Sequence, residues 1–192
     1  MIRYIGAVSL GLLMIALFAT PSAAQAPKAP AAAGSGPTIV VETSRGTFEF
    51  ETYPAEAPKT VAHIVDLVKK NFYTGIRIHR VVPGFVAQFG DPLTRDMAKK
   101  AMWGTGGSGT TVGVAESSSK HTHVKGAVAM AHAGDAAKAD SQMYVTLAPQ
   151  PRLDGGYTVF GQITSGMEVV EKTEQGDVIK KMTIKAAAPA AK

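Results

Sequence analysis

Cysteine is absent from the 192 residues. No disulfide can form even if the chain is exported, no lipid can be attached through cysteine, and stability has to come from a packed core alone. Also missing is any clustering of charge. The chain has 20 Lys and Arg against 15 Asp and Glu, a net +5, but the bases are scattered in pairs such as Lys69-Lys70, Lys99-Lys100 and Lys180-Lys181. A nucleic-acid binder gathers its bases in a stripe interleaved with aromatics, so that class of partner is not expected and the lysines read as solvated surface. After residue 24 no long apolar run occurs, and nothing there approaches the roughly 20 residues that a membrane-spanning helix needs.

The one long apolar run, 5–18, follows the single base Arg3 and precedes the small residues Ser22-Ala23-Ala24. Residues 1–24 therefore read as a signal peptide cleaved before Gln25. The protein is expected to be exported, periplasmic or secreted, with no stable membrane insertion once the signal is gone. Cleavage removes one base and no acid, so 19 bases against 15 acids leave the mature chain at +4. Residues 25–37 are nearly all Ala, Pro, Gly and Ser, and 186–192 repeat that flavour; both bury little apolar surface and are expected to be disordered linker and tail. One folded unit over 38–185 remains, without internal repeats, expected as a monomer and long enough to bury a real core.

Within that unit, 38–43 and 46–53 are rich in β-branched and aromatic residues, with Phe48 and Phe50 alternating against Glu49 and Glu51. Joined through Ser44-Arg45, they read as a hairpin. Over 58–70, Val61, Ile64, Val65 and Val68 recur at helical spacing opposite Lys59, Asp66 and Lys69, and Pro58 suits the first turn. Further strands fall at 78–82, 85–89, 126–131, 143–147, 157–163 and 178–184, with a short helix at 167–172. Pro83-Gly84 marks a turn, and 104–113 is a long Gly-rich loop of the kind that is usually functional. About eight short strands and two short helices predict a mainly β fold, a closed antiparallel β-barrel capped by the helices, because closure removes exposed strand edges.

The segment Ile78-His79-Arg80-Val81-Val82-Pro83-Gly84-Phe85-Val86-Ala87-Gln88-Phe89-Gly90-Asp91 resembles the cyclophilin signature, F-H-R-V-I-P-G-F-M-x-Q-G-G-D. Four further segments agree in order. Gly104-Thr-Gly-Gly107 resembles the family's G-T-G-G loop, and Gly126 through Ala127-Val-Ala-Met-Ala-His-Ala-Gly134 its G-x-x-x-M-A-N-A-G strand and turn. Ser141-Gln-Met-Tyr144 stands where the family has S-Q-F-F, and Leu153-Asp-Gly-Gly-Tyr-Thr-Val-Phe-Gly161 where it has L-D-G-x-x-x-V-F-G. Any one segment is a weak signal; together, in the right order over essentially all of 38–185, they are specific. The resemblance implies a cyclophilin-like barrel and a peptidyl-prolyl cis/trans isomerase without a cofactor. Its substrates would be unfolded or partly folded proteins and Pro-containing peptides.

The task of such an enzyme follows from the amide bond. Partial double-bond character sets a rotation barrier of roughly 18–20 kcal/mol, so uncatalysed X-Pro isomerisation takes tens to hundreds of seconds. Acceleration by about 10⁵ needs roughly 7 kcal/mol of selective stabilisation, at about 1.36 kcal/mol per tenfold. No covalent step is required. The site must bind the twisted amide, whose prolyl nitrogen has regained a lone pair, better than either planar form. Arg80 is the candidate donor to that nitrogen, the role the family assigns to the matching arginine. A charge-assisted bond contributes only about 1.5–3 kcal/mol, so a dry pocket and a grip on one side of the bond must supply the rest. By resemblance, Arg80, Phe85 and Gln88 are the catalytic set, and Phe85, Val86, Tyr144 and Leu153 hold the proline ring. Gln88 and Gln142 supply polar contacts, and Tyr157 joins the substrate-binding residues. The backbone at His132 holds the residue before the proline, with Ala131 and Ala133 kept small so that the substrate chain can lie close.

Several of these positions depart from the family pattern: Val86 replaces a usual methionine, His132 an asparagine, Tyr144 a phenylalanine, Tyr157 a histidine, and Arg152 an aromatic that is often tryptophan. Tyr144 is expected to bring a hydroxyl to the rim of the proline pocket, and Arg152 a charge to a flat apolar surface. On a strand, His121-Thr122-His123 would point both imidazoles to one side, with His79 and His132 as further candidates. Cysteine and a spaced acidic partner are lacking, so no metal site is expected and these histidines read as surface loop residues. A chaperone-like module that grips Pro-containing segments with little turnover is the alternative function; Arg80 and Phe85, which such a module need not keep, favour the enzyme. A carrier barrel of lipocalin or outer-membrane type is disfavoured by the short strands and the Gly-rich loop.

Overall fold

The computed structural model describes residues 36–117 and 120–185, together with Met1. The expected signal beyond Met1, the linker up to residue 35 and the tail 186–192 lie outside the described residues. All the elements below belong to the unit 31–192.

Eight strands form within two residues of their expected bounds: β1 (Thr38–Thr43), β2 (Thr47–Thr52), β3 (Arg80–Val82), β4 (Val86–Phe89), β5 (Ala127–Met130), β6 (Met143–Thr146), β7 (Val159–Ser165) and β8 (Ile179–Ile184). Two helices accompany them, α1 (Pro58–Lys69) and α2 (Met167–Glu171). The strands make one sheet in the order β3-β4-β6-β5-β7-β2-β1-β8, and its strand pairs are antiparallel. The sheet curls but does not close. Its edge strands β3 and β8 are not laddered together, so the expected closed barrel is corrected to an open half-barrel. The seam is crossed ahead of β3, by an isolated Arg77–Val178 bridge and by backbone bonds that include Ile78 N–H to Asp177 O at 2.9 Å and Ile179 N–H to Ile76 O at 2.8 Å. β3 is only three residues long, and each of them pairs with β4.

Because successive side chains on a strand face opposite ways, the middle of the sheet is buried on both sides. One face builds the main core. Ala87 and Phe89 of β4, Val128 and Met130 of β5, and Met143 and Val145 of β6 pack there with Ile39, Phe50 and Phe160. α1 lays Val61, Ile64, Leu67 and Val68 onto that core, leaving the expected Val65 only partly covered. The opposite face carries a second, smaller apolar cluster of Val86, Ala127, Ala129, Tyr144 and Val159, flanked by Phe85, Ala131, Leu153 and Tyr157. The candidate site lies on this second face.

Four 3-10 turns, Pro92–Arg95, Met97–Met102, Ala136–Lys138 and Pro151–Leu153, punctuate the long connections. Three of them start from an aspartate whose carboxylate accepts the backbone N–H two residues on: Asp91 from Leu93, Asp96 from Ala98 and Asp135 from Ala137.

Candidate active site

The second face opens into a cleft of about 730 Å³. Arg80, Phe85, Gln88, Val86, Ala131, His132, Ala133, Gln142, Tyr144, Leu153 and Tyr157, all singled out from sequence, line it. Arg80 and Gln88 are register partners across β3 and β4, and Gln88 in turn pairs with Tyr144 across β4 and β6, so the three side chains share a face. The Arg80 guanidinium is exposed and stands 5.3 Å from the centre of the Phe85 ring. Beneath it Val86 and Tyr144 are nearly fully buried, and with Leu153 they give an apolar floor.

A line of amides runs along the other side. Gln142 Nε2 donates to Gly104 O at 2.9 Å and Gly106 O at 2.8 Å, while its Oε1 accepts from Gln88 Nε2 at 3.0 Å. The Gly-rich loop is thereby fixed to β4 and forms the far rim with Thr105, Gly107 and Thr111. Glycine is needed in it. Gly104 holds φ +94° while its N–H donates to the buried Asp91 carboxylate at 2.5 Å, and a Cβ on Gly106 would run into that same carboxylate.

The Tyr144 hydroxyl is not at the rim, contrary to expectation. It points behind the pocket wall to His123 Nε2 at 2.9 Å, and burial raises its pKa far above the ordinary tyrosine range. His123 is not a surface loop residue either; its ring is wholly buried, with Nδ1 2.7 Å from Asp154 Oδ1. His121 goes elsewhere, stacking on Tyr53 at 3.7 Å, so the two imidazoles do not share a side. Among the described residues no group of three or more His, Cys, Asp or Glu is placed to hold a metal ion. Nothing local signalled His123 and Asp154, since the partners are 21 and 31 residues away from the histidine in sequence. His132 does more than present backbone: its Nε2 donates to Gly156 O at 3.0 Å and its ring stacks on Tyr157 at 4.4 Å. Arg152, outside the cleft lining, holds its guanidinium 4.8 Å from the Phe85 ring, so Phe85 contacts two cations.

Curled sheet and cleft define a half-barrel protein that presents a guanidinium beside an apolar floor. The family profile described as cyclophilin type peptidyl-prolyl cis-trans isomerase/CLD matches residues 38–188. Peptidyl-prolyl cis-trans isomerase B of Bacillus subtilis is 43% identical over 136 residues, 71% of this chain and 89% of its own length. A peptidyl-prolyl cis-trans isomerase of Helicobacter pylori is 38% identical over 142 residues, 73% of this chain and 82% of its own. In fold, a cyclophilin-type isomerase of Cryptosporidium parvum superposes with a TM-score of 0.69 at 23% identity, over 79% of this chain and 99% of its own; a further structure of that protein was obtained in the presence of the dipeptide Ala-Pro. The chain belongs to the cyclophilin family and is a peptidyl-prolyl cis/trans isomerase.

Proposed function

We propose that isomerisation takes place in the 730 Å³ cleft, with Arg80 as the residue that favours the twisted amide. The observation that carries this is the pairing of one exposed guanidinium with an apolar floor: Arg80 stands over Phe85, next to Val86, Tyr144 and Leu153. A proline ring seated on that floor brings its nitrogen towards the guanidinium. In the planar amide this nitrogen is conjugated and accepts no hydrogen bond. In the twisted amide it does, so the arginine stabilises the barrier more than either ground state. Phe85 supports the guanidinium through its ring face, and the amide line from Gly104 through Gln142 to Gln88 keeps that side of the cleft polar. Ala131 and Ala133 leave room for an extended chain to lie beside β5, and Ala131 N–H is already satisfied by Gln142 O at 2.9 Å.

The clients we propose are unfolded or partly folded exported proteins that present Pro-containing segments. Support for export is confined to the sequence, in Arg3, the apolar run 5–18 and Ser22-Ala23-Ala24. The enzyme is proposed to work as a monomer with no cofactor, because twisting an amide requires neither bond cleavage nor electron transfer. A protease-coupled or NMR exchange assay of the purified mature chain on a short X-Pro peptide tests the reading. Turnover that disappears when the peptide's proline is replaced is expected; catalysis unaffected by blocking the cleft with a competing Pro-containing peptide would overturn it.

A further inference from the structure

We propose that His123 and Asp154, neither of which lines the cleft, are positioning residues: the hydrogen-bonded chain Asp154–His123–Tyr144 ties the pocket wall on β6 to the loop that carries Leu153 and Tyr157. The proposal rests on the cleft being the isomerase site.

His123 is bonded through every polar group it has. Its backbone N–H donates to Asp154 Oδ1 at 2.7 Å, its carbonyl accepts from Gln150 N–H at 2.7 Å, its Nδ1 lies 2.7 Å from Asp154 Oδ1, and its Nε2 lies 2.9 Å from the Tyr144 hydroxyl. The direction of the chain follows. The Asp154 carboxyl is held below its usual range, first by the His123 backbone N–H and then by the ring, so it is an acceptor only. Nδ1 must therefore carry the hydrogen it shares with Asp154. In the neutral ring Nε2 is left as an acceptor, and the Tyr144 O–H donates to it.

Three walls of the cleft depend on this chain. Tyr144 is one of them, its ring in the lining and its hydroxyl fastened behind. Leu153 precedes Asp154 directly and Tyr157 follows three residues on. The Tyr157 ring meets both His123 and Tyr144 edge-on, with centroids at 6.4 and 5.9 Å. A second fastening, His132 Nε2 to Gly156 O, holds the far end of the same loop. Two loops distant in sequence are thus locked to a strand by one imidazole. Contacts between these walls and the proline ring are made in planar and twisted forms alike, so loosening them weakens binding without selectively raising the barrier.

Steady-state kinetics on an X-Pro peptide, read beside thermal melts, test this. His123→Leu leaves the Tyr144 hydroxyl buried without a partner, and KM is expected to rise about five- to tenfold while kcat stays within about twofold. Tyr144→Phe severs the same chain at its other end, so it is expected to raise KM by a similar factor, and the double variant His123→Leu, Tyr144→Phe to be no worse than either single change. Asp154→Asn keeps an acceptor oxygen and is expected to bind normally, whereas Asp154→Ala reproduces the His123→Leu effect; this pair decides the matter if His123→Leu does not fold. Independently of turnover, ¹⁵N NMR of the imidazole should show a protonated Nδ1 and an unprotonated Nε2. An Nε2–H tautomer, an unchanged KM in a folded His123→Leu or Asp154→Ala, or additive effects in the double variant would each overturn the proposal. Failure of the cleft itself is a separate result, read from Arg80→Ala in the same assay.

Discussion

Removing the guanidinium from Arg80 separates catalysis from folding more sharply than any other single change. The side chain is exposed, and its contact with the rest of the protein is the face of Phe85 at 5.3 Å. An exposed cation–π contact contributes about 0.5–1 kcal/mol. For a domain of this size 1 kcal/mol corresponds to about 2–4 °C, so Arg80→Ala should lower Tm by no more than about that amount. Turnover is affected differently. The lost charge-assisted bond to the twisted amide is worth about 1.5–3 kcal/mol, which at about 1.36 kcal/mol per tenfold is a fall of about ten- to a hundredfold or more in kcat/KM. Arg80→Lys retains a point charge but not the planar fork, and should fall between the two. A protease-coupled assay at fixed peptide concentration, with melts of the same samples, is sufficient. Undiminished turnover in Arg80→Ala refutes the role, and so does a variant that unfolds, because the arginine would then be holding the sheet rather than the substrate.

By resemblance, the tryptophan usual at position 152 helps form the family's cyclosporin-binding surface, so Arg152→Trp should strengthen cyclosporin binding more than it changes turnover, since covering a hydrated guanidinium with an apolar ligand carries a desolvation cost that an indole lacks; tight binding by the unaltered protein in a calorimetric titration would contradict this. His79 is buried with neither ring nitrogen in a well-formed hydrogen bond, and burial, aided by the Arg80 charge, outweighs Asp91 and the nearby Gln142 amide to lower its pKa. The unfolded chain therefore takes up a proton that the fold resists. The stability is fully present above about pH 6.5 and is lost as pH falls from there towards the folded pKa, so Tm should decline on acidification and decline less in His79→Gln. Equal slopes in the two proteins would show that His79 is not the group responsible. Intact-mass analysis of protein recovered outside the cytoplasm should give a chain beginning at or near Gln25; retention of residues 1–24 in a membrane fraction rules out the cleaved signal.

Strand positions were readable because alternation is a local signal: Phe48 and Phe50 against Glu49 and Glu51 give β2 its buried and half-exposed faces without reference to the rest of the chain. α1 was readable for the same reason at the helical period, although the stripe includes Leu67 more than Val65. Barrel closure was not, since it depends on whether β3 and β8 meet, and those strands are about a hundred residues apart. The 3-10 turns carry no hydrophobic period; what marks three of the four is an aspartate placed to bond two residues ahead, as Asp91 does before Pro92. In the site, the lining residues followed from ordered motifs. The buried state of His123 did not, because a histidine is hidden or solvated according to what partners the fold brings, and Tyr144 and Asp154 reach it only in three dimensions.

The two-faced middle of the sheet has a consequence for how such an enzyme can diversify. Along β4 and β6 the residues that keep the chain folded alternate with those that meet the substrate, Ala87 and Phe89 against Val86 and Gln88, Met143 and Val145 against Tyr144. Substitution at every second position retunes the pocket while the intervening positions hold their packing, so specificity and thermal tolerance can drift on separate tracks within a four-residue strand. The same arrangement forbids another kind of change. Inserting or deleting one residue in these strands exchanges the two sets, sending Tyr144's neighbours into the interior and the interior out to the peptide, so this part of the chain tolerates replacement but not a change of length.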